Sequence, residues 1–332
     1  MTVTRRNILE SKDARDRYLE GVVELSRPDP QITALDVYEQ LRELMPWFRM
    51  SGQNQRLSMW DLFIIWHYAA MQLVTPPLAQ VRNLAHGGPV FLPWHRMFLI
   101  RLEEELQRVT EQDAALPYWR WAAHGDLPPA AQHAGDLWSE AYLGESRGEV
   151  TSGLLGHLRV RIEERSDGLW SIPERRLQRN AGNETAPTLP TTADVRWAIS
   201  DPNYDGPRWD TASNSFRNKV EGWLRRPPTP DDPGQAGPQL HNRVHMRVGG
   251  DMWPGTSPND PVFYLNHCNE DRMWEAWMVD HGRNYRPDQG DADAPVGHRL
   301  NGTMVALLGR PLRPVDVIDA TAWYVYDDLS IG

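Results

Sequence analysis

The segment 59–73, MWDLFIIWHYAAMQL, constrains the fold most strongly, because it is apolar on nearly every side. A helix with an apolar circumference must be surrounded by other elements of the protein. No apolar run in the chain reaches the roughly 18 residues that span a bilayer, so we predict a buried core helix and no membrane partner. The helix carries one histidine, His67, which is conspicuous in such surroundings.

Further helices are predicted where apolar residues recur every three to four positions. With the core helix, the predicted helices are 13–26, 34–44, 59–73, 93–110, 213–224, 240–250 and 260–282. Residues 117–211 lack sustained periodicity and are predicted to form loops with short helices, and the Pro-rich stretch 225–239 is predicted to be a loop. The tail, 313–326, is predicted to be extended. No repeat or sharp composition shift divides the chain, so we predict one mainly α domain over 1–332.

Charge and cysteine content exclude several classes of protein. Lys+Arg 35 against Asp+Glu 45 gives a net charge of −10, which disfavours binding to nucleic acid or an anionic membrane surface. Cys268 is the single cysteine, so the chain forms no internal disulfide and no site of several thiolates. The early pair Arg5 and Arg6 is not followed by an apolar stretch, so an export signal is incomplete and a cytoplasmic location is expected.

Histidines are therefore the candidate metal ligands. His241 and His245 are four residues apart and would project from one face of a helix, and His267 follows at the start of another apolar helix. A second group comprises His67 in the core helix, with His86 and His95 bracketing HGGPVFLPWH.

Imidazole ligands without thiolate or carboxylate favour copper or zinc. A zinc protease is disfavoured because HNRVH lacks a glutamate after its first histidine. Two alternatives remain at this point: a histidine pair at helical spacing arises by chance, and a lone histidine such as His67 is often a hydrogen-bonded core residue. The other five histidines lie in polar or loop settings and are interpreted as structural: His124, His133, His157, His281 and His298.

Two stretches resemble the copper-binding signatures of the tyrosinase family, which includes catechol oxidases, o-aminophenol oxidases and haemocyanins. The first is HGGPVFLPWHRMFLIRLEEELQ, and the second runs from LHNRVHMRVGGDM to SPNDPVFYLNHCNEDRMWEAW. The matching pieces extend from Trp60 to Trp277, and the ending Tyr324-Val-Tyr326 is similar to the Tyr-x-Tyr that closes the family's catalytic domain.

The resemblance implies a four-helix bundle that holds a dinuclear copper centre, surrounded by long loops and few short strands. It assigns the first copper to His67, His86 and His95, and the second copper to His241, His245 and His267. Asp271, four residues after His267, is then expected to accept a hydrogen bond from a ligand imidazole; the alternative is a surface ion pair with Arg272 or another cation.

The implied activity is oxidation of phenols and o-diphenols (or o-aminophenols) to o-quinones (or quinone imines) by O2, with ortho-hydroxylation of monophenols. The alternatives are a haemocyanin-like oxygen carrier, an oxidase of catechols or o-aminophenols that does not hydroxylate, and a metal-dependent hydrolase. No C-terminal shielding domain is expected, and the resemblance leaves room for a helper protein that loads copper.

The resemblance also implies a catalytic pair, Glu221 and Asn242, that holds a water and relays the proton of an incoming phenol. The alternative is that Glu221 only pairs with Arg217, four residues earlier. The chain departs from the family pattern at several positions, of which two lie beside candidate ligands of the second copper. Asn266 stands where many members have a histidine, and Met246 stands where some have arginine, which leaves the entrance less basic.

Overall fold

The computed structural model describes residues 2–52, 54–75, 82–110, 113–133 and 135–331. The α-helices within these ranges are α1 Lys12–Leu25, α2 Ala34–Leu44, α3 Met59–Gln72, α4 Phe91–Thr110, α5 Trp121–Gly125, α6 Thr192–Ile199, α7 Phe216–Glu221, α8 Leu240–Val248, α9 Val262–His281 and α10 Pro314–Val317. The strands are β1 Val3–Arg5, β2 Met50–Ser51, β3 Arg147–Glu149, β4 Val160–Arg165, β5 Gly168–Arg175, β6 Gln178–Asn180 and β7 Tyr324–Tyr326.

Helix α3 is the buried core helix that its apolar sequence predicts. Every residue from Trp60 to Ala70 is buried. The helix begins at a capping box, in which the Ser58 hydroxyl accepts from the backbone N–H of Asp61 and the Asp61 carboxylate accepts from the backbone N–H of Ser58. The position of His67 is therefore fixed by a well-defined helix start and by packing on all sides.

Four helices surround the centre of the molecule: α3, α4, α8 and α9. Helix α4 packs against α9, and α9 packs against α8, while α1 covers α4 from outside. Helix α9 is buried from Val262 to Met278, including its polar and charged residues. The prediction of a mainly α fold built on a four-helix bundle is confirmed.

Asp271 on α9 anchors both ends of the chain to the bundle. Its carboxylate accepts from Arg96 Nε at 2.5 Å, from Arg5 Nη1 at 3.3 Å, and from the hydroxyls of Tyr324 and Tyr326 at 2.6 Å each. Arg5 and Tyr324 lie on β1 and β7, which pair in parallel. The Tyr-x-Tyr ending therefore serves to close the fold around a buried carboxylate.

This arrangement corrects both interpretations of Asp271. Its four partners occupy the carboxylate, so the predicted hydrogen bond to a ligand imidazole is wrong. The alternative is correct that cations pair with Asp271, but these are the buried Arg5 and Arg96, and the pair is not on the surface. Arg272 instead donates to Asn269 Oδ1 and to the backbone carbonyls of Asp328 and Ser330.

The region 117–211 contains a hairpin, although its sequence predicts only loops with short helices. Strands β4 and β5 are antiparallel and joined by a turn at Ser166 and Asp167, with β2 added in parallel on the other side of β5. The tail was also predicted wrongly in part, because only β7 is extended and α10 precedes it. Within the described ranges, no helix combines the length and the apolar character needed to cross a membrane.

Candidate metal centre

The first histidine cluster joins two helices and a loop. His67 lies on α3, His95 lies in the second turn of α4, and His86 lies in the loop before α4. The ring centroids are 5.0 Å apart for His67 and His86, 4.8 Å for His86 and His95, and 5.9 Å for His67 and His95. One potential ligand atom from each ring lies within 4.8 Å of the others, which is close enough for all three to bind one ion.

The second cluster is formed by α8 and α9. His241 and His245 project from one face of α8, with ring centroids 4.5 Å apart, as their spacing predicts. His267 on α9 completes the group, at 4.8 Å from His241 and 5.7 Å from His245. The potential ligand atoms of this cluster also lie within 4.8 Å of one another.

Backbone carbonyls orient several of these imidazoles through Nδ1. His67 Nδ1 lies 2.8 Å from the carbonyl oxygen of Gly255, and His245 Nδ1 lies 2.7 Å from that of Met252. His95 Nδ1 lies 2.8 Å from the carbonyl of Phe91, one turn earlier on α4. A carbonyl only accepts hydrogen bonds, so Nδ1 carries the proton in each ring and Nε2 keeps its lone pair.

Most of the Nε2 atoms in the two clusters are buried and have no hydrogen-bond partner among the described residues. This holds for five of the six imidazoles: His67, His95, His241, His245 and His267. In His86 the buried atom without a partner is Nδ1. Unsatisfied buried nitrogens are costly, and a bound metal ion is the partner that would satisfy several at once.

The histidines are neutral at physiological pH. Burial lowers the pKa of His67 to about 3 and that of His245 to about 4, despite their hydrogen bonds to carbonyls. Burial also lowers the pKa of the other four well below the ordinary value, and the neighbouring imidazoles lower it further. Neutral imidazoles are the form that binds metal ions.

The donor set fits copper. Each cluster offers three neutral imidazoles, with no thiolate or carboxylate in the group, and such ligands suit copper or zinc. The clusters adjoin at His95 and His267, whose rings lie nearly parallel with centroids 4.1 Å apart. Two ions bound there would share one pocket.

A cavity of about 430 Å³ opens onto the centre. His67, His86, His241 and His245 line it, whereas His95 and His267 are not among its lining residues. Glu221 and Asn242 line the same cavity, so the structure brings both predicted catalytic residues beside the histidines.

Gly222 explains how the long loop 225–239 leaves Glu221 next to α8. The backbone N–H of Gln239 donates to the Gly222 carbonyl at 3.0 Å, so the two ends of the loop meet. Gly222 has φ +98°, and a Cβ there would lie 1.9 Å from the Gln239 carbonyl oxygen. Only glycine permits this approach, which keeps Glu221 close to His241.

Glu221 is buried, and both of its carboxylate oxygens already have donors. Oε1 accepts from the backbone N–H of Gly87 at 2.6 Å, and Oε2 accepts from Arg217 Nη1 at 2.9 Å. Burial raises the pKa of Glu221, although Arg217 and the Gly87 N–H oppose that shift. The alternative pairing with Arg217 is therefore present, as a fully buried pair in the wall of the cavity.

Asn242 contacts the second cluster directly. Its Oδ1 lies 3.0 Å from His241 Nδ1, and the backbone carbonyl of Glu221 lies 3.3 Å from the same nitrogen. Glu221 and Asn242 thus orient a candidate ligand imidazole as well as lining the cavity.

Glu270 also lies at the site, although the sequence analysis does not include it among the candidate residues. Its Oε2 lies 3.0 Å from His267 Nδ1, although the two groups are not aligned for a hydrogen bond. Glu270 is buried, and burial raises its pKa well above the ordinary value, with Glu221 and Asp271 adding to the shift. The i,i+3 spacing from His267 was the available signal, but in the run Asn-Glu-Asp-Arg an acidic residue is typical of a solvated surface.

The fold and the two histidine clusters are those of a type 3 copper protein, with two three-histidine groups between four helices. Residues 57–280 match the family profile described as the common central domain of tyrosinase. The chain therefore belongs to the tyrosinase family, and it is a copper oxidoreductase.

Individual relatives agree with this assignment. The chain is 34% identical over 281 residues to a tyrosinase of Streptomyces lincolnensis, covering 81% of this chain and 89% of the relative. It is 33% identical over 276 residues to grixazone synthase of Streptomyces griseus, covering 74% of this chain and 82% of the relative. A solved polyphenol oxidase from Thermothelomyces thermophila has the same fold, with a TM-score of 0.69, 19% identity, and coverage of 98% of this chain and 89% of the other.

Proposed function

We propose that this protein is a dinuclear copper oxidase that uses O2 to oxidise phenols and o-diphenols to o-quinones, with ortho-hydroxylation of monophenols. The observation that carries the proposal is the pair of adjoining histidine clusters, whose buried nitrogens lack hydrogen-bond partners and lie beside a cavity. Family membership supports the same chemistry.

The six histidines would hold the two metal ions, three to each. Copper bound there supplies the electrons that reduce O2 and the positive charge that attracts a phenolate. The protein contributes fixed imidazole orientations: the carbonyls of Phe91, Met252 and Gly255 keep the proton on Nδ1 and leave Nε2 facing the metal position.

The substrate ring would enter through the cavity. His67, His86, His241 and His245 line its walls, so a phenol in the cavity lies against imidazoles of both clusters. The volume of about 430 Å³ is in the range of small-molecule sites.

Glu221 and Asn242 would handle the phenolic proton. A phenol with a pKa near 10 is almost entirely protonated at neutral pH, so it needs an acceptor before its oxygen can bind a metal. Both residues line the cavity, which supports the proposal that they hold a water between them that faces the substrate.

A second candidate function is oxidation of catechols or o-aminophenols without hydroxylation of monophenols. It is favoured by the two donors that already occupy the Glu221 carboxylate, since Arg217 and the Gly87 N–H compete with a water for the same oxygens. The similarity to grixazone synthase, at 33% identity, is also compatible with this second function.

One assay separates the two candidates. Copper-loaded protein is given a monophenol, the matching catechol and an o-aminophenol, and quinone formation and O2 uptake are measured, with copper-free protein as the control. Turnover of all three supports the first function, and turnover without the monophenol supports the second. No turnover of any of them by protein that has bound copper would contradict both.

A further inference from the structure

The lining of the cavity beyond the histidines is mostly apolar. Two of its members are tryptophans with large exposed fractions, 41% for Trp223 and 60% for Trp253. Exposed indoles are unusual, because most of a tryptophan is normally buried. The apolar side chains of the lining are Met71, Trp223, Pro238, Met246, Trp253 and Pro254.

At each tryptophan a hydrogen bond fixes the backbone. The N–H of Trp223 donates to the Asn218 carbonyl at 3.1 Å, and the N–H of Trp253 donates to the Gly250 carbonyl at 3.1 Å. Their exposed rings are therefore carried on ordered turns. Large aromatic surfaces held at the opening of a cavity are suited to contact a ligand.

The same lining offers almost no charge to a ligand. Among the described lining residues, Glu221 is the one ionisable side chain other than the histidines, and it is buried against Arg217. A charged group on a substrate would thus lose hydration on entry without gaining an ionic partner.

We propose that the preferred substrates are phenols whose ring carries an uncharged, apolar group opposite the hydroxyl, with that group packed against Trp223 and Trp253. The proposal rests on the proposed function, in which the hydroxyl points toward the histidines. A group para to the hydroxyl then points toward the mouth of the cavity. Each buried methylene there contributes about 0.8 kcal/mol, which is about a fourfold gain in affinity.

Three phenols of nearly equal size test the charge preference: 4-propylphenol, tyramine and 3-(4-hydroxyphenyl)propionate. The copper-loaded enzyme should show a kcat/KM for the neutral phenol that exceeds that for either charged phenol by about tenfold or more. The matching catechols are measured in parallel, so that the comparison does not depend on hydroxylation. Equal values for the three, or a preference for a charged substrate, would overturn the proposal.

Variants test the two tryptophans. Trp253→Ala and Trp223→Ala should each lower the kcat/KM for 4-propylphenol or its catechol by about 2- to 10-fold, the value of an aromatic contact, mainly through KM. Each should also bring the ratio between neutral and anionic substrates toward one. Trp47→Ala is the matched control, because Trp47 is 58% exposed and lines a different cavity. A loss in the control equal to that in the other variants would contradict the assignment.

A binding measurement separates this proposal from the proposed function. Isothermal titration of the copper-loaded enzyme with the three phenols in the absence of O2 measures affinity without turnover. Tighter binding of 4-propylphenol, weakened by Trp253→Ala, would support the contact between the para group and the two tryptophans even if no substrate were oxidised. Turnover combined with equal binding of all three phenols would agree with the oxidase function and refute the preference for an apolar para group.

Discussion

The rings of His95 and His267 lie nearly parallel, with centroids 4.1 Å apart and 8° between their planes. His95 belongs to the cluster on α3 and α4, and His267 belongs to the cluster on α8 and α9. Their contact joins the two clusters at the centre of the bundle. A change at either residue should therefore affect the whole dinuclear site.

His267→Ala should reduce oxidase activity to background and lower copper content below two ions per chain. The reason is that no other imidazole of the second cluster is positioned to replace it, since His241 and His245 already point at the same ion position. Copper is measured by elemental analysis after dialysis, and oxidation is followed with a catechol.

His157→Ala is the control for that experiment, because His157 is exposed and lies outside both clusters. It should retain full copper content and activity. Full activity in His267→Ala would remove His267 from the site.

Glu221→Gln and Asn242→Ala should lower monophenol hydroxylation more than diphenol oxidation. Both variants are assayed in protein shown to hold its full copper content, because Asn242→Ala also removes an oxygen partner of His241. General-base catalysis typically contributes about 10²–10⁴-fold, so the loss should be large for the monophenol. The measurement is kcat/KM for a monophenol and its matching catechol in each variant.

Glu105→Gln provides the matched control, because Glu105 pairs with Arg108 at 2.7 Å on the outside of α4. Equal losses of both activities with copper retained would indicate general distortion. If the Glu221 variant kept its monophenol activity, Glu221 would only pair with Arg217.

Glu270 should hold the His267 ring in its orientation when metal is bound. Replacing such an oxygen partner of a ligand imidazole typically costs about 10–100-fold in metal affinity. We expect Glu270→Leu to weaken copper binding by that amount. Glu270→Gln, which keeps an oxygen acceptor, should weaken it much less. Competition with a copper chelator measures the affinity, and equal behaviour of the two variants would exclude this positioning role.

Asp271→Asn should destabilise the fold by about 3 kcal/mol, because it leaves the buried guanidinium groups of Arg5 and Arg96 without their shared carboxylate. Urea unfolding measures the loss. Thr321→Ala, at an exposed position near the same strand, should have little effect. A loss below about 0.5 kcal/mol in Asp271→Asn, typical of a surface substitution, would contradict the anchoring role.

The Asp271 carboxyl group should also make the free energy of unfolding depend on pH. Burial disfavours the charged form of Asp271, but Arg96 and Arg5 outweigh that effect and lower its pKa. A carboxyl group whose pKa falls on folding stabilises the protein fully above its ordinary pKa of about 4. This contribution is lost as the pH falls from there through the lowered pKa. The wild type should therefore lose more stability than Asp271→Asn does between pH 5 and 3.

Periodicity predicts the main helices and ligand spacing predicts the two groups of histidines, whereas the four-helix bundle follows from the resemblance to the tyrosinase family. Helix α3 is apolar all round, and the i,i+4 pair on α8 places two imidazoles on one face. The hairpin β4–β5 was missed because Pro173 and several charged residues interrupt its alternation. Its turn at Ser166-Asp167-Gly168 was the signal that could have revealed it.

The sequence does not show which residues from distant parts of the chain contact one another. Helical spacing correctly places Asp271 one turn from His267, but it does not show that Arg5 and Tyr324, from the two ends of the chain, pack against that carboxylate. Burial of Glu270 has the same origin, since it depends on what surrounds α9 and not on its own neighbours in the chain. The Gly255 carbonyl that orients His67 comes from a loop 188 residues away.

Everything proposed for this protein depends on the two histidine clusters binding a pair of copper ions. The most direct test is the metal content of the protein after loading with copper and removal of excess ions, combined with electron paramagnetic resonance of the oxidised form. We expect two copper ions per chain, one for each cluster, with little paramagnetic signal because ions held in adjoining clusters would couple magnetically. One copper ion per chain with a full paramagnetic signal, or retention of zinc in preference to copper, would contradict it.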